Sequence, residues 1–249
     1  MKNDLVIPAI AWIVLTLICV TVILIGLKAA LKKTNWEKDK QRKLFQRAMI
    51  FIVTWIVLIS ILSIKGFFTD FTTLPPRPAL AMLILLPVIF IIAFSKTGTQ
   101  LLRVIPQHWV VFMQSFRIAV ELLLLMAFIN EKIPAQMTFG GRNFDILTGI
   151  LALPVGYVLA KGKTYVPKLA VAFNIIGLLL LINILVIAVL SMPTPFRYFM
   201  NEPANTLVGR FPFILLPGVL VPIAYTMHIF SLRQEMVRQR VNRSLASAI

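Results

Sequence analysis

Apolar residues fall in seven long blocks separated by short polar or basic segments, at about 5–27, 48–64, 79–95, 109–129, 146–160, 169–191 and 211–230. A helix needs about 20 mostly apolar residues to cross the hydrocarbon core of a bilayer, within a range of about 17–25. Each block therefore has close to the length of one crossing. The fifth is short and must extend into Phe144 or Lys161 to span. The blocks run continuously, without the alternation of a transmembrane barrel, so helices are favoured over strands. The pattern predicts an all-α polytopic transmembrane helix bundle, one domain over residues 1–249. Its first block, Leu5 to Leu27, exceeds the roughly 7–15-residue core of a signal peptide and precedes no small-residue cleavage site. It reads as a retained first helix.

Composition agrees with that pattern. The chain is 59% hydrophobic and 14% charged, against about 45–50% and about 25% for a soluble domain. A net charge of +16 would suit nucleic acid if it formed a patch. Instead the lysines and arginines sit in the segments between apolar blocks, which excludes nucleic acid and makes the lipid bilayer the implied partner. Alternate segments hold seventeen Lys and Arg on one side and seven on the other, Lys2 and Lys163 among them, with Arg117 alone inside a block. Cytoplasmic loops carry the excess of Lys and Arg, so the count predicts N-terminus outside and C-terminus cytosolic. Residues 28–47 then form a basic cytosolic loop and 232–249 a basic cytosolic tail. The loop is also suited to contact with anionic lipid headgroups. Cys19 is the lone cysteine, which rules out internal disulfides and thiolate metal centres.

The fourth block holds the chemistry that lipid should reject. Arg117 and Glu121 sit near its middle. At about 100° per residue, Gln107, Gln114, Arg117 and Glu121 fall within an arc of about 80°. The i,i+4 spacing lets Arg117 and Glu121 meet, and such a pair must face the bundle interior or a wet cavity. Two uses remain open: a packing salt bridge that fixes helix register, or the lining of a ligand or ion path. In the second, Arg117 would neutralise or bind an anionic group, and Glu121 would carry a proton or position the arginine.

Weaker candidates lie elsewhere. Asn174 and Asn183 differ by nine residues and so occupy opposite faces of the sixth span, where interhelical hydrogen bonding is their ordinary use. Tyr225 and His228 share a face of the seventh. His108 and His228, with no cysteine near them, are too few for a haem or metal centre, so no cofactor is expected. Outside, Asn143 or Asp145 could cap the fifth helix. Arg197, Asn201, Glu202 and Asn205 lie in a Pro-rich loop with Phe196, Tyr198 and Phe199. Either a cap packed over the bundle's outer mouth or an interfacial aromatic belt would account for that mixture.

Pro154 with Gly156, and Pro217 with Gly218 and Pro222, interrupt the fifth and seventh spans, as broken helices do at transporter binding sites. Ile84-Leu85-Leu86-Pro87 recurs as Ile214-Leu215-Leu216-Pro217, which would fit the three-plus-one-plus-three repeat of PQ-loop sugar transporters. Pro106-Gln107, however, sits at the mouth of the charged fourth span rather than inside a repeat helix. Residues 211–230 contain no lysine, which excludes a retinal pigment. The strings Gln114-Ser115-Phe116-Arg117, Gln136-Met137-Thr138-Phe139, Gly141-Arg142-Asn143-Phe144-Asp145 and the Pro193–Asn205 loop resemble those of a group of uncharacterised bacterial seven-span inner-membrane proteins, over roughly residues 106–233. That resemblance implies a bacterial inner membrane and supplies no activity. The expected function is a small-molecule or ion transporter or binding protein around the fourth span, its ligand unspecified. A sensory or scaffolding protein acting through the basic loop is the alternative. An enzyme is disfavoured, because no nucleophile–base set, metal cluster or phosphate loop is present.

Overall fold

A computed structural model describes residues 6–162 and 167–246, so Lys2, Lys163 and the last three residues of the tail lie outside the described residues. Those described are helical, with no β-strand among them. The helices are α1 (Val6–Lys32), α2 (Lys38–Ile64), α3 (Arg77–Leu83), α4 (Leu85–Phe94), α5 (Lys96–Val104), α6 (Gln107–Met113), α7 (Phe116–Ile129), α8 (Ile146–Lys161), α9 (Pro167–Leu190) and α10 (Val221–Ala246). Among the described residues, five helical stretches are long and apolar enough to cross a membrane: α1, α2, α3 with α4, α6 with α7, and α9. At about 1.5 Å per residue, α8 with 16 residues reaches about 24 Å, short of the roughly 30 Å of hydrocarbon.

Several boundaries differ from the pattern. The segment 28–47 is mostly helix rather than loop, because α1 and α2 run on past their apolar blocks and leave only residues 33–37 as a turn. The tail is likewise helical to Ala246. The third block breaks at Ile84. Pro87 explains this, since a proline has no N–H for the carbonyl four residues back, here Leu83, and its ring crowds that carbonyl. The seventh enters through a π-helical stretch, Leu216–Leu220. Pro222 leaves the carbonyl of Gly218 without a helical donor, and Trp55 Nε1 supplies one at 2.8 Å.

The outer helices are apolar on every side, so amphipathicity does not choose which face is inside. In α1 the buried stripe is Ala9, Trp12, Thr16, Cys19 and Val20, while Ile7, Ile10, Leu17, Ile18 and Ile25 are exposed. In α2 only Ile59 and Ser63 are buried. Small residues set the close contacts, as they do between membrane helices. A Cβ on Gly156 would lie 2.7 Å from the Phe112 ring, and one on Gly149 2.8 Å from Ile118 Cγ1, so only glycines let α8 sit this near α6 and α7.

Segments 65–76, 130–145 and 191–215 gather at one end as a cap. Ser63 Oγ donates to the Gly209 carbonyl at 2.9 Å, Gln136 Nε2 to Ser191 Oγ at 3.0 Å, and Asn205 Nδ2 to the Ala188 carbonyl at 3.0 Å. Phe71, Met192 and Val208 of these segments pack together within it, while Phe144 and Tyr198 are left exposed. The opposite end carries the excess lysine and arginine.

Candidate functional site

The stripe predicted on the fourth span faces inward: Gln107, Gln114, Arg117 and Glu121 are all buried, Arg117 and Glu121 to 1% exposure. Their pairing differs from the expectation. Arg117 binds Asp145, with Nε donating to Oδ2 at 2.6 Å and Nη2 paired to Oδ1. Asp145 precedes α8, yet its side chain makes no capping bond to that helix. The buried guanidinium outcompetes the cap because an ionic fork is stronger than a single amide contact. Glu121 accepts instead from Asn143 Nδ2, at 2.7 Å to each oxygen. Asn143 in turn uses Oδ1 to accept from the Asp145 amide at 3.0 Å, so one asparagine fixes both carboxylates.

On its other side Arg117 Nη1 donates to His228 Nε2 at 2.8 Å, and Nη2 to the Gly177 carbonyl at 3.3 Å. A guanidinium has only donors, so Nε2 must accept and the His228 proton must sit on Nδ1. That nitrogen faces Asn174 Oδ1 at 2.9 Å. Histidine is thus held neutral in one tautomer by its two neighbours. Gly177 makes the approach possible, since a Cβ there would stand 2.7 Å from His228 Nε2.

The chain of contacts continues toward the basic end. Asn174 Nδ2 donates to Ser231 Oγ at 2.8 Å, Gln107 Nε2 reaches the same hydroxyl at 3.5 Å, and it donates to Glu235 Oε1 at 2.6 Å. From Glu121 to Gln107 the fourth span climbs about 21 Å at roughly 1.5 Å per residue. A single file of buried polar side chains, drawn from the fourth span, the 143–145 loop, α9 and α10, therefore links the capped end to the basic end. It is closed: His228, Asn143 and Ser231 have no exposure at all. Among the described residues, its capped half holds one cation, Arg117, and two carboxylates, Glu121 and Asp145. Glu121 is therefore the carboxylate in excess.

The other predicted residues separate from this file. Asn183 lies on the opposite face of α9, as its spacing required, and donates to the Arg142 carbonyl at 2.9 Å. Tyr225 is the exception: it packs against the apolar core but lies close enough to Arg117 for the two to interact electrostatically. Gln114 Nε2 donates to the Ala224 carbonyl at 3.2 Å, beside the file. At the surface, Arg197 clips its own loop through Glu202 Oε1 at 2.9 Å and the Asn201 carbonyl at 2.6 Å. Hydrogen bonds from Arg197 and the Ala204 amide hold the Glu202 carboxyl below its ordinary range. His108 stacks edge-on to Phe112, away from His228. No group of three or more His, Cys, Asp or Glu that could hold a metal occurs among the described residues. Sequence reasoning missed Ser231, Glu235 and Gly177. A lone glycine inside an otherwise large-residue span was the available sign of the last.

A family model described as a domain of unknown function (DUF8737) matches residues 76–235. The chain belongs to this family. Its matched region begins at α3 and ends at Glu235, so it takes in every member of the file and leaves out α1, α2 and the basic turn between them. No curated protein and no solved structure matches the chain.

Proposed function

We propose that this is a seven-span protein of a bacterial inner membrane, N-terminus outside and C-terminus cytosolic, that passes or binds a small molecule or ion along the file through Arg117. The observation that carries the reading is the file's length. A register-fixing salt bridge needs two residues, whereas here polar groups continue from Glu121 to Glu235 through an apolar bundle, each costly to bury. Arg117 cannot release its proton, so the file is no continuous proton wire. It acts instead as a latch, in which Arg117 grips Asp145 while Glu121, the surplus carboxylate, exchanges a proton or a cation. Opening requires the latch to part, because in this conformation the charged groups are sealed.

Reconstituted protein should therefore move a proton, a cation or a member of a metabolite panel across liposomes, and Glu121→Gln should abolish the flux while leaving the fold intact. Flux no greater than that of empty liposomes for every solute would overturn the reading. The sealing supports a second one, a scaffolding or sensory protein in which the file only rigidifies the bundle and the exposed basic helix ends at 28–47 meet a partner. Partner capture that depends on Lys38–Arg47 and ignores Arg117→Ala would favour it.

A further inference from the structure

Charge is compensated unevenly at the two ends. At the capped end Arg77 pairs with Asp70 at 2.8 Å and Arg197 with Glu202 at 2.9 Å. The sequence assigns seventeen Lys and Arg to the segments of the basic end against three acidic residues, Glu37, Asp39 and Glu235, and Asp39 pairs with Lys43 and Glu235 with Arg238. Arg233 is the extreme case. It is only 8% exposed, yet Nε is fully enclosed with no acceptor, and its guanidinium lies over the Phe94 ring at 4.8 Å. An arginine keeps its charge in a protein, and a buried charge without acceptors is expensive. The enclosed Nε is out of reach from outside, but the Nη groups carry the same charge with no carboxylate among the described residues paired to them, and they can take an anion supplied from outside the chain.

The surroundings indicate what that group is. Phe94 ends α4 at the corner where Ser95 caps α5, its Oγ accepting from the Gly98 amide at 2.8 Å. Exposed Lys96 opens α5, and the first-turn amides of a helix favour an anion. Outward from the corner, Phe90, Ile91 and Phe94 are 49%, 69% and 54% exposed, with the Phe90 and Phe94 rings stacked at 6.4 Å. The strip is apolar and leads directly to the arginine. A free phosphate would use only the charged half of this arrangement, whereas an amphiphile uses both.

We propose that the corner of α4, α5 and α10 binds one anionic phospholipid, its phosphate held by Arg233 beside Lys96 and one acyl chain lying along Phe90, Ile91 and Phe94. The site depends on membrane embedding but not on a path through Arg117, so either proposal can fail alone. The test uses the full chain in phosphatidylcholine nanodiscs with and without phosphatidylglycerol, reading lipid retained by native mass spectrometry and the thermal shift. Wild type should retain phosphatidylglycerol and be stabilised by it. Arg233→Gln should lower retention by on the order of tenfold, the loss of a charge-assisted hydrogen bond, while Lys40→Gln on α2 leaves it unchanged. Equal retention by Arg233→Gln overturns the site, as does an equal loss in Lys40→Gln, which reduces it to general attraction. Stabilisation in detergent by inorganic phosphate alone assigns a soluble anion and overturns the lipid. Should Arg233→Gln not fold, Arg233→Lys and Phe94→Ala decide: reduced retention supports the site and unchanged retention overturns it.

Discussion

Replacing Asp145 with asparagine is the sharpest perturbation of the file, because it removes one charge and almost no volume. In the wild type the Arg117 fork takes both Asp145 oxygens, and the two side chains are 2% and 5% exposed. Breaking a buried pair from one side costs about 3–5 kcal/mol, since the other charge is left uncompensated. Here the cost should sit near about 3 kcal/mol, at the low end of that range. The substituted amide would still offer one carbonyl oxygen, and Glu121 lies one turn along α7 to balance the guanidinium. At about 2–4 °C per kcal/mol for a chain of this size, the midpoint of thermal unfolding in detergent should fall by roughly 6–12 °C. Denaturant-titrated unfolding of the reconstituted protein gives the free energy directly. Adding Glu121→Gln to Asp145→Asn should cost more than the two single changes together, because it strips Arg117 of both anions. Replacing the pair outright, Arg117→Met with Asp145→Leu, should remain destabilising, because Glu121 stays buried without a cation and His228 Nε2 and the Gly177 carbonyl lose their donor. A loss below about 1 kcal/mol for Asp145→Asn alone would refute the reasoning, since the pair would then be solvated rather than buried.

Gly177→Val should drive a side chain into His228 and cost about 1–3 kcal/mol by overpacking, read by the same unfolding titration. Trp55→Phe removes the donor to the Gly218 carbonyl and should cost about 1–3 kcal/mol, the penalty of an unsatisfied buried acceptor; Pro222→Ala, which restores a helical N–H there, should recover part of it. The Arg197–Glu202 clip should respond to acid. The Glu202 carboxyl lies below its ordinary value of 4.5, so its contribution is complete above that value and disappears as pH falls through the lowered one. Hydrogen exchange in residues 196–205 should accelerate only below about pH 4.5.

The fourth span was legible because ionisable residues inside an apolar block are rare, and helical arithmetic puts Gln107, Gln114, Arg117 and Glu121 on one face. The same arithmetic separated Asn174 from Asn183. What it could not supply was the partner. Asp145 sits before a helix, where a carboxylate ordinarily caps, and nothing local shows that the 140–145 loop folds inward to Arg117. Pro87 explains the break at Ile84, whereas the break at Gln114–Ser115 in the fourth span has no proline or glycine to announce it. The unsatisfied Nε of Arg233 was equally silent, because a basic residue just past an apolar block looks like any other topology signal.

Accessibility of the file to water-borne reagents tests the central claim most directly. In a Cys19→Ser background, cysteines placed singly at Ser231 and Asn143 are exposed in membrane vesicles of known sidedness to a charged, impermeant thiol reagent. A path that opens predicts labelling of position 231 from the cytosolic side and of 143 from the outside, with the two reacting in mutually exclusive conditions. Positions that stay unlabelled from both sides, at every pH and with every solute offered, while a control cysteine at Lys40 reacts, would contradict the account and leave the file as a sealed brace.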